Sequence, residues 1–72
     1  DEDGDLLREA IDSFLADLSP EDRLIFMGRY FALESIESLA EHNNMTKNTI
    51  NIRLTRMRKK LKSKLEERGI AI

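Results

Sequence analysis

The sequence predicts a small all-α domain of four helices, on three observations. Apolar residues recur at helical spacing along nearly the whole chain. No alternating run of β-branched residues offers a strand. Three Ser or Thr residues, each followed by helix-forming sequence, mark where new helices start. The 72 residues make one domain, near the lower end of what folds on a single hydrophobic core. A hydrophobic fraction of 40% supplies that core. Its stability is expected to be modest, on the order of a few kcal/mol.

The first helix is expected from about Asp5 to Leu18, capped by Asp3 or Asp5, with Leu7, Ile11, Phe14, Leu15 and Leu18 on one face. Ser19-Pro20-Glu21-Asp22 opens the second. Ser accepts an orphan amide, Pro suits the first turn, and the carboxylates complement the positive helix end. This helix runs to about Phe31 and is expected to bury Leu24, Met27 and Phe31, with Phe26 and Tyr30 beside them. Gly28 inside it costs roughly 1 kcal/mol relative to Ala, which points to the close approach of another helix. Ser35 caps a short third helix, Ile36 to His42, with Ile36, Leu39 and Ala40 inward. Asn43-Asn44 ends it, because Asn tolerates the left-handed conformation, and Met45 follows as a buried plug. Thr46 caps the last helix, Lys47 to about Arg68, which stops at Gly69. The expected organisation is an acidic linker remnant or flexible end over 1–5, a folded domain over 6–68, and a tail over 69–72.

Charge is steeply segregated. Residues 1–22 carry nine acidic side chains against Arg8, whereas residues 46–72 carry nine Lys or Arg against Glu66 and Glu67. The net charge of −2 hides this asymmetry. A basic stripe raises the local concentration of a polyanion, although a solvated helix face also accommodates a charge run. In the last helix, Ile50, Leu54, Met57, Leu61 and Leu65 form the core stripe, and Asn48, Ile52, Thr55, Arg56 and Lys59 lie opposite.

A short helix, a brief turn and a longer capped helix with polar N-terminal turns make a helix-turn-helix. The longer helix can present side chains to base edges in a major groove, while N-terminal amides meet a phosphate. Asn48, Asn51, Thr55 and Arg56 suit that face. Ile52 has two readings: an ordinary surface residue, or a contact to a thymine methyl.

Leu18-Ser19-Pro20-Glu21-Asp22-Arg23-Leu24-Ile25-Phe26, then Arg29-Tyr30-Phe31, resembles the opening of region four in sigma-70 family factors, especially the extracytoplasmic-function branch. Leu39-Ala40-Glu41 is similar to that family's supporting helix. Met45-Thr46, Asn48-Thr49-Ile50, Arg53-Leu54, Arg56 and Arg58-Lys59-Lys60-Leu61 are similar to its turn and recognition helix. The likeness covers about residues 6 to 65, and the basic continuation past the recognition turn is its most specific part. Asn43-Asn44 stands where the family usually has Leu-Gly, and Leu33-Glu34 where it has Gly-Leu. Asn48 replaces a common glycine, and Asn51 a common basic residue.

The resemblance implies sequence-specific binding of the promoter −35 element as part of RNA polymerase holoenzyme, and hence transcription initiation in the cytoplasm. It also implies docking on the flap of the polymerase β subunit, with an anti-sigma factor as an occluding partner. By position, Asn51, Ile52, Thr55 and Arg56 are the base-edge candidates. Lys47, Asn48, Thr49, Arg53, Arg58 and Lys59 are the phosphate candidates. For Arg58, Lys60, Lys62 and Lys64 a purely solvating role stays open.

The chain has no cysteine and one histidine, so neither a disulfide framework nor a thiolate metal site is expected. His42 is expected on the surface at the end of the third helix, and Met27, Met45 and Met57 as core fillers. No nucleophile or pocket-forming element accompanies the N-terminal acids, so no enzyme activity, cofactor or small-molecule substrate is expected. No apolar run approaches a membrane span. Two rival readings remain: the DNA-binding output domain of a LuxR-type response regulator, and a helical protein-interaction module with a basic helix.

Overall fold

The computed structural model describes residues 2–70, with side chains from Gly4 onward. Four helices follow one another: α1 (Glu2–Asp17), α2 (Pro20–Tyr30), α3 (Ile36–His42) and α4 (Lys47–Glu67). Among the described residues there is no strand, so the all-α expectation holds. α4 is the spine, packed by α1, α2 and α3, and α2 also packs on α3.

The expected caps at the second, third and fourth helices are all formed. Ser19 Oγ accepts the Asp22 amide at 3.1 Å, Ser35 Oγ that of Ser38 at 3.0 Å, and Thr46 Oγ1 that of Thr49 at 3.1 Å. Each satisfies a donor that the helix start leaves unpaired. The helix ends are equally specific. Asn44 adopts φ 55° after α3, and its amide and that of Met45 return to the carbonyls of Glu41 and Ala40. Gly69 (φ 73°) and Ile70 repeat the pattern after α4, bonding back to Glu66 and Leu65. Both are Schellman closures, in which a left-handed residue lets two amides satisfy terminal carbonyls. Asn43, where the resemblance expects leucine, closes α3 differently: its side-chain amide donates to the Leu39 carbonyl at 2.8 Å.

α1 departs from expectation. It begins at Glu2, so Asp3 and Asp5 lie within the helix instead of capping it, and Asp5 sits 3.6 Å from Arg8 one turn on. Its buried line is Ala10, Phe14 and Leu18, with Ile11 and Leu15 half-buried and Leu7 exposed. The periodic stripe is real but its axis is rotated toward Ala10, whose small side chain suits a tightly packed position.

α2 requires a larger correction. Ile25 and Phe26 are the buried residues, whereas Leu24 is 68% exposed, Phe31 62% and Met27 37%. The helix carries two apolar stripes, and the inward one also contains Asp22 and Arg29. Those polar residues do not disqualify it, because each finds a partner. Asp22 bonds Arg53 of α4 at 2.9 Å, and Arg29 Nη1 donates to the Glu34 carbonyl at 2.9 Å. Phe26 meets Phe14 edge-on, with ring centroids 5.0 Å apart, a favourable aromatic geometry that holds α2 to α1. The outward stripe, Met27 and Phe31, lines an open apolar groove with Leu7, Ile11 and Leu15 of α1.

Gly28 is explained by α3. A Cβ there would stand 2.8 Å from Leu39 Cδ2, closer than packed carbons tolerate. The penalty of glycine within a helix is thus offset by the close crossing of α2 and α3. The loop between them holds Leu33 at φ 56°, in the position where the resemblance expects glycine, and with an 81% exposed side chain. A non-glycine residue there carries a backbone cost that no burial repays. Leu33→Gly is expected to raise stability by about 0.5–1 kcal/mol, the left-handed cost less glycine's greater chain entropy. Thermal unfolding followed by circular dichroism reads this as a higher midpoint, which Leu33→Ala does not reproduce.

Candidate nucleic-acid interface

α4 is held from one side only. Ile50, Leu54 and Met57 are buried with at most 2% exposure, Leu65 is buried at 8%, and Leu61 packs partly against the same core. The opposite side is therefore offered outward. Asn48, Asn51, Ile52, Thr55, Arg56 and Lys59 are all exposed, as the phase of the helix requires. From Asn48 to Lys59 this face runs about 16 Å at 1.5 Å per residue. That length and the width of one helix match a major groove about 12 Å wide.

The start of α4 is open to an anion. No acidic residue occupies its first turn. Thr46 Oγ1 takes the Thr49 amide and also lies 3.0 Å from the Thr49 hydroxyl, which fixes the entry of the chain into the helix. Lys47 projects beside this end, with its ammonium 3.1 Å from Glu37 of α3. Exposed ion pairs of this kind contribute little, so Lys47 can exchange Glu37 for another anion.

Further along, the expected phosphate candidates divide. Arg53 is half-buried, and one guanidinium nitrogen lies 2.6 Å from Glu21 and 2.9 Å from Asp22. The hydrogen bond to Asp22 is the main reason its already high pKa is raised further. The residue ties the first turn of α2 to the middle of α4, so its charge is committed within the protein. Arg58 stays exposed, its Nη1 donating to Tyr30 Oη at 2.8 Å and its Nη2 lying 3.2 Å from Thr55 Oγ1. Lys59 is exposed where α4 passes Phe14 and Asp17 of α1. Arg56 is exposed in the centre of the outward face.

The charge segregation of the sequence is thus partly spent internally. Lys64 pairs with Asp17, and its Nζ donates to Ser13 at 3.1 Å, fastening the C-terminal half of α4 to α1. The hydrogen bond from Lys64, and then its charge, hold the Asp17 carboxyl below its ordinary pKa. Lys62 sits 4.0 Å from Glu66 on its own helix. Among the described residues, Arg56, Arg58, Lys59 and Lys60 make no ion pair. These are the α4 cations without an ion pair, although the charge of Lys60 also acts on Asp17.

Three residues outside α4 shape this surface, and the motifs that contain them do not signal this role. Tyr30 packs at a tilt against Phe26, with centroids 4.8 Å apart, and its hydroxyl oxygen accepts from Arg58. Asp22 and Glu21, which read locally as helix-start acids, hold Arg53 across the domain. A long-range polar pairing of this kind leaves no periodic trace. His42 lies on the surface at the end of α3 as expected, with Nδ1 3.4 Å from Glu34 Oε2.

α3, the Schellman turn and α4 together form a helix-turn-helix whose second helix has one face in the core and one face free. The model of the sigma-70 region 4 family matches residues 8–61. Comparisons with curated proteins and with solved structures gave no match. The family match spans most of the chain, including the capped start of α2, the turn and the outward face of α4. With this geometry in place, the chain belongs to the sigma-70 region 4 family, the DNA-binding, promoter-recognising part of sigma factors that act in transcription initiation.

Proposed function

We propose that this chain reads the −35 promoter element as the region four domain of an RNA polymerase sigma factor of the extracytoplasmic-function type. One observation carries the reading: α4 exposes Asn48, Asn51, Ile52, Thr55 and Arg56 along a single face, flanked by unpaired cations, while its other face is immobilised in the core. Asn51, Ile52, Thr55 and Arg56 contact base edges. Lys47, Asn48, Thr49, Arg58 and Lys59 contact phosphates, and Arg53, its charge committed to Glu21 and Asp22, orients the helix through α2. The domain, residues 6–68, acts in the cytoplasm and not as an enzyme.

The polymerase side of the complex falls to the groove of Leu7, Ile11, Leu15, Met27 and Phe31, where large apolar side chains stand exposed on the side of α1 and α2. An apolar helix of the β flap would fit such a groove, and an anti-sigma factor would compete for it. Adjacent exposed hydrophobes of this size mark interaction surfaces.

Binding to duplex DNA as a function of salt tests the reading. The logarithm of affinity is expected to fall linearly with the logarithm of salt concentration, with a slope reflecting several neutralised phosphates. Arg58→Glu with Lys59→Glu should weaken binding to all duplexes about equally. The titration needs to reach micromolar protein, because a domain of this size makes few contacts. Affinity indifferent to salt, or equal affinity for an acidic peptide, would return the protein-interaction reading.

A further inference from the structure

We infer that Ile52 and Thr55 form an apolar pair that reads the C5-methyl group of thymine, so that the DNA element recognised by this chain carries a thymine beside the base read by Arg56. The inference rests on the promoter-binding reading of α4. Ile52 is 44% exposed on the outward face, one turn from Thr55. Thr55 looks polar, but the one proton of its hydroxyl and one of its two lone pairs are engaged. It donates its one proton to the Asn51 carbonyl at 2.8 Å. It also accepts from Arg58 Nη2 at 3.2 Å, and Arg58 is itself steered by Tyr30.

With its proton used at the backbone, Thr55 has no donor for a base. Apart from one acceptor lone pair, what it still offers the groove is its γ-methyl group, one helical turn from Ile52. Two apolar groups therefore stand one helical turn apart on an otherwise hydrogen-bonding face. Among the bases, thymine alone presents an apolar group in the major groove. Asn51, exposed beside the pair, has an amide that matches the donor and acceptor of adenine, thymine's own partner.

Thymine-to-uracil replacement tests this at a single atom group. The chain is used to enrich duplexes from a random-sequence library, and each thymine of the most enriched duplex is replaced in turn by deoxyuridine. At one or two positions the affinity is expected to drop about threefold to tenfold, as removal of a contacted methyl implies. Ile52→Ala and Thr55→Ser, which remove the apolar groups but keep the helix and the backbone hydrogen bond, are expected to bind the thymine and uracil duplexes equally. Thr55→Val, which keeps the methyl and loses the hydroxyl, is expected to preserve the discrimination even if overall affinity falls with the loss of Arg58's partner. Enriched duplexes in which every uracil replacement is neutral overturn the inference and leave the promoter reading standing. So does discrimination that survives both Ile52→Ala and Thr55→Ser. A library that returns no enriched duplex overturns the promoter reading itself.

Discussion

Leu54→Ala is expected to lower the stability of the domain by about 2–5 kcal/mol. Leu54 is 1% exposed at the centre of the α4 stripe and belongs to the cluster that includes Phe14 of α1, Ile25 of α2 and Leu39 of α3. Truncation removes apolar contact and leaves a cavity that the surrounding helices close only in part, since each is anchored elsewhere. In a domain this small the loss approaches the whole folding free energy. Thermal unfolding by circular dichroism should therefore show a transition shifted down by about 8–40 °C, or no folded baseline at 37 °C (about 4–8 °C per kcal/mol for domains of this length). The same substitution at Leu24, 68% exposed, is the internal comparison and should change little. A shift of only a degree or two at Leu54 would show that α4 does not present this stripe to the core.

The second large effect concerns recognition. Arg56→Lys is expected to lose roughly 1–3 kcal/mol of discrimination at one promoter position while affinity for random duplex barely changes. Arg56 makes no ion pair with a described residue and lies exposed on the face opposite the core stripe. Its planar fork can bond both acceptors of a guanine at once, a geometry that an ammonium cannot reproduce. Charge is conserved in the substitution, so the sequence-independent attraction to phosphates survives. Both affinities are to be measured at one fixed salt concentration. Equal losses on the enriched and the random duplex would make Arg56 a phosphate contact, and specificity would then fall to Asn51, Ile52 and Thr55. Arg53→Lys provides the contrast. Because Arg53 is engaged with Glu21 and Asp22, its replacement should disturb stability and all duplexes alike.

How legible each part was depended on how local its cause is. The caps at Ser19, Ser35 and Thr46 and the stops at Asn44 and Gly69 were readable because a helix end is decided by one side chain or one φ value. The core phase of α4 was readable because its stripe is long and single. α2 was not, since eleven residues carried two apolar stripes and the choice between them was made by contacts with other helices. Phe14 against Phe26, Asp22 against Arg53 and Arg29 against the Glu34 carbonyl together turned Ile25 and Phe26 inward.

The same division runs through the candidate interface. Helical periodicity by itself determined that Asn48, Ile52, Thr55, Arg56 and Lys59 share a side, because 3.6 residues per turn fixes which positions lie opposite the core. Composition determined that α4 is basic and α1 acidic. Only the tertiary structure decided which of those charges remain available, because ion pairs form between residues far apart in the chain. Arg53 and Lys64 are committed to Asp22 and Asp17, whereas Arg56, Lys59 and Lys60 have no such partner among the described residues. The Thr55 hydroxyl is engaged within its own helix, by the Asn51 carbonyl and by Arg58, and only the tertiary structure showed that Tyr30 steers Arg58. Helix phase follows from bonds between near neighbours. The chemistry a face can offer follows from which of its donors and charges the rest of the fold has already used.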